Sequence, residues 1–292
     1  MDRREFLKKG VLSAASVIAS ASVLSGFMTN EANAKGKSKK RIGLQLYSLR
    51  EAMKEDVMGT LKAVADAGYT EIETAGYNDS IVYGMSTVEF RNVCKKMGMN
   101  MSSTHLGART DINDMKAALA WWNVAFDDHA KAGCRYAIQP AFKIGDTLDD
   151  IKRQCDYFNQ VGELANKKGI KFGFHNHAKE FDKRGDEVIY DYLINNTDPK
   201  NVFFQMDVYW VQKGGADPVE YLKKYAGRFP VLHIKDESII GEGGTLDFKA
   251  IFDAAYAQGM KDYYVEIEKY TLPPVTCAEK SFDFLDNAPY VK

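Results

Sequence analysis

Apolar and polar positions alternate in a pattern that repeats from residue 41 to the end of the chain. Short apolar segments, typical of buried strands, are followed by stretches with apolar residues at helical spacing, such as Val57, Leu61 and Val64. Between each of six helical stretches and the following strand stands a glycine, at positions 68, 98, 133, 169, 227 and 259. Glycine there is typical of the left-handed cap that ends a helix.

The interval between Gly169 and Gly227 is 58 residues (227 − 169), which is long enough for two strand–helix units. We expect a helix over about 186–195 in the first of them. With the opening strand, the pattern predicts eight strands, over residues 42–47, 70–75, 99–106, 135–141, 170–177, 202–210, 230–236 and 263–269. Strict alternation of strand and helix favours parallel strands, in a closed barrel or an open sheet. Eight units without a Gly-x-Gly-x-x-Gly motif after a strand favour a single-domain (βα)8 TIM barrel.

The first 34 residues have the pattern of a targeting segment rather than of this fold. Arg3 and Arg4 precede an apolar run over 11–28, and Ala32-Asn33-Ala34 is typical of a signal peptidase site. The sequence therefore predicts a twin-arginine-type signal peptide over 1–34, a mature domain over 35–292 and export to the periplasm. The run is rich in alanine and serine and weakly apolar for a membrane span, so no stable membrane anchor is expected after cleavage.

Charge and cysteine content narrow the classes of function. The chain has 39 basic and 40 acidic residues, so it shows no nucleic-acid-binding footprint. The four cysteines, Cys94, Cys134, Cys155 and Cys277, have no C-x-x-C spacing. They are typical of small buried apolar residues, although an oxidising compartment leaves one bridged pair open.

Most predicted strands begin apolar and end with polar residues two positions apart. These pairs are Gln45 and Tyr47, Glu71 and Glu73, Ser103 and His105, His175 and His177, Asp207 and Tyr209, His233 and Lys235, and Glu266 and Glu268; the fourth strand offers only Gln139. Residues two apart on a strand point to the same face. Because helices cover the outside of a parallel barrel, we expect these side chains at its C-terminal mouth, where barrel enzymes place their chemistry.

Histidine is scarce but concentrated in this pattern. Of five histidines, only His129 lies in a predicted helix, and His105, His175, His177 and His233 lie at predicted strand ends. One strand histidine would usually be structural, whereas four of them beside Asp207 and Glu266 predict a metal site. Imidazole with carboxylate suits Mn²⁺, Zn²⁺, Co²⁺ or Fe²⁺ better than Ca²⁺; Mg²⁺ also remains open.

At these residues the chain resembles the sugar phosphate isomerase/epimerase family, the xylose isomerase-like TIM barrels. The resemblance extends over about residues 41–285 and is strongest at 42–50, 174–181, 206–210, 232–236 and 264–266. Each segment is short, but their order on the correct strands makes the set specific. The family also has an AP endonuclease branch, whose larger metal site and DNA-binding face this sequence lacks.

The resemblance implies one divalent metal ion, held by residues on strands five to eight. By position, Asp207, His233 and Glu266 are the ligands from strands six, seven and eight. Strand five departs from the family pattern, since many members have Glu-Asn-His where this chain has His175-Asn176-His177. Either His175 replaces the glutamate, Glu180 reaches in from the following loop, or the site has a water or only three protein ligands.

The resemblance implies proton transfer beside a metal-polarised carbonyl group, with glutamates as acid and base. Glu266 is then both ligand and proton carrier. Lys235 is expected to stabilise an enolate or to transfer a proton, unless it is a solvated surface lysine. Glu73, His105 and His177 are further candidate bases or groups that orient hydroxyls. Tyr209 and Trp210 offer an apolar face to a sugar ring, or else pack within the barrel.

These features predict a metal-dependent enzyme that acts on a sugar or keto-sugar through an enolate. An isomerase or epimerase is the leading hypothesis. A lyase or hydratase acting on a keto-sugar or keto-glycoside is the second, because an imidazole stands in place of one glutamate. A periplasmic sugar-binding barrel without catalytic activity is the third. The sugar, the metal and the oligomeric state stay undetermined by the sequence.

Overall fold

Eight parallel strands form a closed barrel in the computed structural model, which describes residues 40–107 and 112–292. The strands are β1 (Gly43–Gln45), β2 (Glu71–Thr74), β3 (Asn100–His105), β4 (Tyr136–Gln139), β5 (Lys171–His175), β6 (Val202–Asp207), β7 (Val231–Ile234) and β8 (Asp262–Val265). Each strand pairs with the next in the chain, and β8 pairs with β1 through Tyr264 opposite Gly43. The predicted (βα)8 barrel is confirmed, and the predicted signal peptide at 1–34 lies outside the described residues.

Helices surround the strands. They are α1 (Arg50–Glu55), α2 (Val57–Ala67), α3 (Thr87–Lys96), α4 (Met115–Ala132), α5 (Leu148–Lys167), α6 (Ile189–Asn195), α7 (Val208–Lys213), α8 (Pro218–Lys224), α9 (Phe248–Ala257) and α10 (Pro274–Asn287). Two short 3₁₀ helices, Leu46–Leu49 and Ala178–Phe181, follow β1 and β5. Two small hairpins, Ile81–Val82 with Met85–Ser86 and Lys183–Arg184 with Glu187–Val188, stand in the loops after β2 and β5.

The helix ends follow the glycine pattern of the sequence. Gly68 caps α2 with φ +111°, and Gly133 caps α4 with φ +82°, conformations that residues with a Cβ atom rarely adopt. Inside the barrel glycine has another role, since a Cβ atom at Gly43 would lie 2.4 Å from the Tyr264 ring and 2.7 Å from the Tyr263 carbonyl oxygen. This glycine therefore leaves the space in which the Tyr264 ring packs.

The apolar core has two parts. The larger part lies between the strands and the helices, and a smaller cluster fills the barrel centre with Tyr136, Ile138, Phe203, Val231 and Tyr264. Below that cluster, at the N-terminal base, Arg135 contacts both Asp262 (2.9 Å) and Glu71 (3.2 Å), and Arg41 contacts Glu71 (3.0 Å). The prediction that Glu71 lines the mouth is therefore wrong, because the short strand β2 places Glu71 at its first residue, one full layer below Glu73.

Several predicted strands are longer than the observed ones. The predicted strand over 202–210 ends at Asp207, where its carboxylate accepts a hydrogen bond from the Trp210 backbone N–H at 3.0 Å and so begins α7. Tyr209 and Trp210 thus lie on a helix. Likewise, Glu266 and Glu268 follow the end of β8, and the helix expected over 186–195 begins only at Ile189, because residues 187–188 belong to a hairpin.

All four cysteines are buried and unpaired with one another, as small apolar residues. Among the described residues, no helix is long and apolar enough to cross a membrane. The start and the end of the described chain meet at the base of the barrel, where the Lys40 ammonium donates to the carbonyl oxygens of Leu285, Asp286 and Ala288 at 3.1, 2.6 and 2.7 Å.

Candidate metal centre

Four side chains meet at the C-terminal mouth of the barrel. His175 ends β5, Asp207 ends β6, His233 lies on β7 and Glu266 directly follows β8. One ligand atom from each lies within 4.8 Å of the others, and all four residues are buried. The structure therefore brings together the four residues predicted as ligands, on the strands from which they were expected.

His175, and not Glu180, occupies the strand-five position of this group. The Glu180 carboxylate is buried as well, but it accepts a hydrogen bond from the His177 backbone N–H at 2.9 Å and begins a 3₁₀ turn. Glu180 is in neither group of potential ligands among the described residues. The second such group is made of His105, His175 and His233, which lie side by side across the barrel.

One carboxylate oxygen of Asp207 accepts a hydrogen bond, and the other has no hydrogen-bond donor. Its Oδ1 caps α7, and its backbone N–H donates to Asn176 Oδ1 at 3.1 Å, so the residue is fixed in place. Oδ2 is fully buried and accepts no hydrogen bond. A buried carboxylate oxygen without a donor is costly, by about 1–3 kcal/mol or more, and a bound cation would remove that cost.

Glu73 lies below the four residues and is the acceptor of a dense hydrogen-bond network. Gln45 and Gln205 donate to it at 2.8 Å each, and Ser103 donates at 2.6 Å. His233 and His105 reach the same carboxylate at 2.5 and 3.1 Å. A carboxylate that is fully buried and surrounded by donors is better placed to orient the two imidazoles than to receive a proton from a substrate.

Gln205 was not predicted as a site residue, yet it connects three candidate groups. Its Oε1 lies 2.8 Å from His105 Nε2 and 3.2 Å from His175 Nδ1, while its Nε2 donates to Glu73. With Nδ1 of His175 donating to Gln205, Nε2 keeps its lone pair on the side of Asp207, 3.9 Å away. Gln205 stands two residues before Asp207 on β6 and therefore on the same face, which is the signal in the sequence that could have identified it.

Lys235 is a buried member of the site, so the interpretation as a solvated surface lysine is wrong. Its side chain is 2% exposed, and its ammonium lies 2.6 Å from Glu268, 3.2 Å from Glu266 and 3.8 Å from Asp207 Oδ2. It also lies 4.8 Å from the centre of the Trp210 ring. Burial and three carboxylates hold this lysine in one place, because an unpaired ammonium would be expensive there.

The pKa values of the three buried carboxylates are shifted in different directions. Burial opposes ionisation of Glu266, but Lys235 and His233 hold its pKa well below the usual range. Burial, together with the neighbouring Glu266 carboxylate, raises the pKa of Asp207 to about 7 despite the opposing effect of Lys235. Glu73 stays ionised because His105 and His233 outweigh its burial and lower its pKa.

The two central imidazoles differ in the same way. Burial would lower the pKa of His233, but Glu73 and Glu266 raise it to about 10. Burial, together with the neighbouring His233 and His105, lowers the pKa of His175 well below its ordinary value. Without a cation, a proton on His233 therefore balances the carboxylates around it, while His175 is neutral and able to act as a ligand.

A cleft of about 410 Å³ opens above these residues. Glu266 and Glu268, which follow β8, line it together with His105, His175 and His177. Burial lowers the pKa of His177, so it is neutral at pH 7. Tyr209 donates to Glu237 at 2.7 Å and does not line this cleft, while Trp210 packs beside His177 and Lys235.

The residues present fit a divalent metal ion. Two imidazoles and two carboxylates at one point are a donor set that suits Mn²⁺, Fe²⁺, Co²⁺ or Zn²⁺. The Asp207 oxygen without a donor is the observation that favours a cation at this point. Each of the four residues belongs to a barrel strand or directly follows one, so the barrel itself positions the ligand atoms.

Known proteins share this fold and part of the sequence. The family model described as xylose isomerase-like TIM barrel matches residues 61–288. A sugar phosphate isomerase/epimerase structure from Parabacteroides distasonis ATCC 8503 is 35% identical, with a TM-score of 0.83, covering 87% of this chain and 100% of that chain.

Curated relatives include inosose dehydratases. That of Geobacillus thermodenitrificans is 27% identical over 133 residues, 38% of this chain and 44% of the relative. That of Geobacillus kaustophilus is 25% identical over 197 residues, 60% of each protein. The chain thus spans about half the length of these relatives. The closed barrel and the match over 61–288 lead to one conclusion: this chain belongs to the xylose isomerase-like TIM barrel family.

Proposed function

We propose that the protein is a metal-dependent enzyme that removes the proton beside the carbonyl group of a sugar or keto-sugar, and that it is an isomerase or epimerase. The observation that carries this proposal is the buried, donor-free Oδ2 of Asp207 among His175, His233 and Glu266. These four residues would hold a divalent ion, which would supply a Lewis acid for the carbonyl oxygen.

The walls of the cleft supply groups for proton transfer. Glu266 is kept ionised by Lys235 and His233, so it can accept a proton from the carbon beside the carbonyl. His177 lines the same cleft and has a lowered pKa. Glu266 can return the proton to the adjacent carbon, which is isomerisation. In epimerisation, water delivers a proton to the opposite face of the same carbon, and Glu266 gives the proton that it took to the hydroxide formed.

Lys235 has a separate part in this proposal. Its ammonium is pinned between Glu266 and Glu268 and stays charged throughout, since these carboxylates raise its pKa despite burial. It is therefore better suited to stabilise the negative charge that develops during proton removal than to accept a proton itself.

A lyase or hydratase is the second candidate, and His175 is the observation that favours it. With an imidazole in place of a second carboxylate, a symmetrical exchange between two glutamates is not available. In an elimination, Glu266 takes the proton from one carbon, the electron pair forms a double bond, and a hydroxyl or alkoxyl group leaves the next carbon with that proton, which Glu266 gives up. The partial likeness to inosose dehydratases supports this candidate.

One experiment separates these candidates. The mature protein is purified, its metal is measured by elemental analysis, and it is incubated in D₂O with a panel of aldoses, ketoses, keto-sugars and keto-glycosides while NMR spectra are recorded. An isomerase or epimerase gives an isomeric sugar that has lost no water and carries deuterium where a proton was exchanged. A lyase gives a product that has lost water or alcohol.

The outcome against both is equally clear. A protein that holds stoichiometric metal and binds members of the panel, but exchanges no proton of any of them, would favour the sugar-binding barrel. A protein that turns substrate over without metal, and is not inhibited by chelators, would contradict the metal-dependent mechanism.

A further inference from the structure

A second cleft adjoins the candidate site at the rim of the barrel. This rim cleft has a volume of about 820 Å³, against 410 Å³ for the cleft above the metal centre. Tyr47, Ala75 and Gly76 line both clefts, so the two share a wall. Both volumes lie within the range of about 300–1,000 Å³ that is usual for small-molecule sites.

The rim cleft exposes apolar side chains that a folded protein normally covers. Tyr47 is 43% exposed and Ile81 is 44% exposed, and both line this cleft. The Arg50 guanidinium stands over the Tyr47 ring at 4.7 Å and is held by hydrogen bonds to the Tyr47 carbonyl oxygen and the Tyr270 hydroxyl. The cleft thus offers an aromatic face, an aliphatic wall and a fixed donor group.

The outer wall of the rim cleft is preformed. Asp79 and Tyr83, which line the rim cleft, have φ values of +47° and +49°, and Ser80 in the same segment has +69°. Such values are costly for residues with a Cβ atom and persist where the surroundings fix them, often at ligand-binding segments. Hydrogen bonds of 2.9 Å in both directions join Asn78 and Ile81, and Ala75 donates to the Tyr83 hydroxyl at 3.1 Å.

We propose that the rim cleft binds the second ring of a two-ring substrate, so that the protein acts on glycosides whose reacting ring lies at the metal centre. This rests on the proposed function and names its substrate class. The second ring must have an apolar face to pack against Tyr47 and Ile81, as an aromatic aglycone or a second sugar ring does. A single sugar would occupy the cleft at the metal centre and leave the rim cleft unused.

Binding without turnover tests the rim cleft directly. Methyl β-glucoside, phenyl β-glucoside and cellobiose are titrated by NMR into the metal-loaded mature protein. We expect phenyl β-glucoside or cellobiose to bind about 3- to 10-fold more tightly than methyl β-glucoside, the range expected for one ring packed on an aromatic side chain. The phenyl preference alone identifies an aromatic aglycone, and the cellobiose preference alone identifies a second sugar.

A matched pair of variants locates the effect. Ile81→Asp places a charge in the wall of the rim cleft and should reduce the preference to within about twofold. Met58→Asp makes the same change at a position on α2 that is 48% exposed and does not line the rim cleft, so it should keep the preference. Equal binding of the three glycosides by the unaltered protein, or an unchanged preference in Ile81→Asp, would overturn the proposal.

Turnover separates this proposal from the proposed function. The same comparison is made with methyl and phenyl glucosides oxidised to keto-glucosides. A binding preference without any turnover would contradict the proposed function and leave the rim cleft supported. Turnover of both keto-glucosides with equal kcat/KM and equal binding would contradict the rim cleft alone.

Discussion

Asp207 has two roles that one substitution can separate. Its Oδ1 caps α7, and its Oδ2 faces the other candidate ligands. Asp207→Asn should keep the cap, since asparagine caps helices as well as aspartate does, but it should lose most of the metal because a neutral amide is a poor ligand. Asp207→Ala should lose both and melt at a lower temperature than Asp207→Asn. His233→Ala should also lose metal. Elemental analysis and thermal unfolding with and without added Mn²⁺ measure these changes.

The identity of the fourth ligand gives a second prediction. His175→Ala should lose metal, whereas Glu180→Ala should retain it, because the Glu180 carboxylate is engaged with the His177 backbone N–H. Metal content after dialysis measures both. The opposite result, with metal kept in His175→Ala and lost in Glu180→Ala, would make Glu180 the ligand.

Lys235 gives a prediction about rate rather than metal. Lys235→Met keeps the length of the side chain but removes the charge beside Glu266. Metal should remain, and turnover should fall by about 10²–10⁴-fold, the usual contribution of a group that acts in the transition state. Lys269→Met, which removes an exposed lysine paired with Glu237, is the control and should stay within about twofold. Normal turnover of Lys235→Met would exclude it from the mechanism.

At this scale the sequence predicted which residues meet but not how they are connected. Residue type and strand position, read with the family resemblance, predicted that Asp207, His233 and Glu266 come together and left His175 and Glu180 as alternatives on strand five; the structure places His175 there. The sequence did not show where each short strand begins and ends, so it could not tell whether a residue lies at the base or at the mouth of the barrel. For this reason Glu71 was expected at the mouth. The acceptor role of Glu73 and the linking role of Gln205 depend on contacts across the barrel that no local pattern reveals.

The units of the fold were predictable because each has its own local signals. Apolar spacing, helix caps and glycines mark the eight strand–helix units, and all eight occur. Strand ends were less accurate, since a polar residue at the end of a strand can equally begin a helix. Asp207 does so, and Tyr209 and Trp210 therefore lie on α7.

Close packing between α5 and the turn before β6 gives a prediction for an element. A Cβ atom at Gly162 would lie 2.1 Å from the Asn201 carbonyl oxygen, which is backbone and cannot turn away. Alanine in a helix normally gains about 1 kcal/mol over glycine, but the clash should outweigh this gain, with a net loss of about 1–2 kcal/mol in the free energy of unfolding. Glu163→Ala, the exposed neighbour, should change it by under about 0.5 kcal/mol. Urea unfolding compares the two variants. A Gly162→Ala protein as stable as the unaltered one would show that α5 can shift away from Asn201 without a loss of stability.

Export concerns the whole molecule. If the twin-arginine pathway carries the protein, replacing Arg3 and Arg4 together by lysine should retain the precursor in the cytoplasm, because that pathway recognises the arginine pair. Cell fractionation with an antibody against the mature domain measures the distribution. Mature protein at normal levels in the periplasm would indicate another route.

Because Lys40 contacts the end of α10, residues far apart in the sequence lie close enough to be joined by a short linker. Because β8 pairs with β1, the eight strands form a ring in which every strand has the same kind of neighbours. Lys40, where the described chain begins, meets the end of α10 at the base, on the face opposite the mouth. A short linker between residues 292 and 40, with new ends at the exposed turn 198–200, would give a circular permutant with every strand pair and every mouth residue retained. The closed ring of strands therefore has no first strand of its own, and only the order of the sequence decides which strand is called β1.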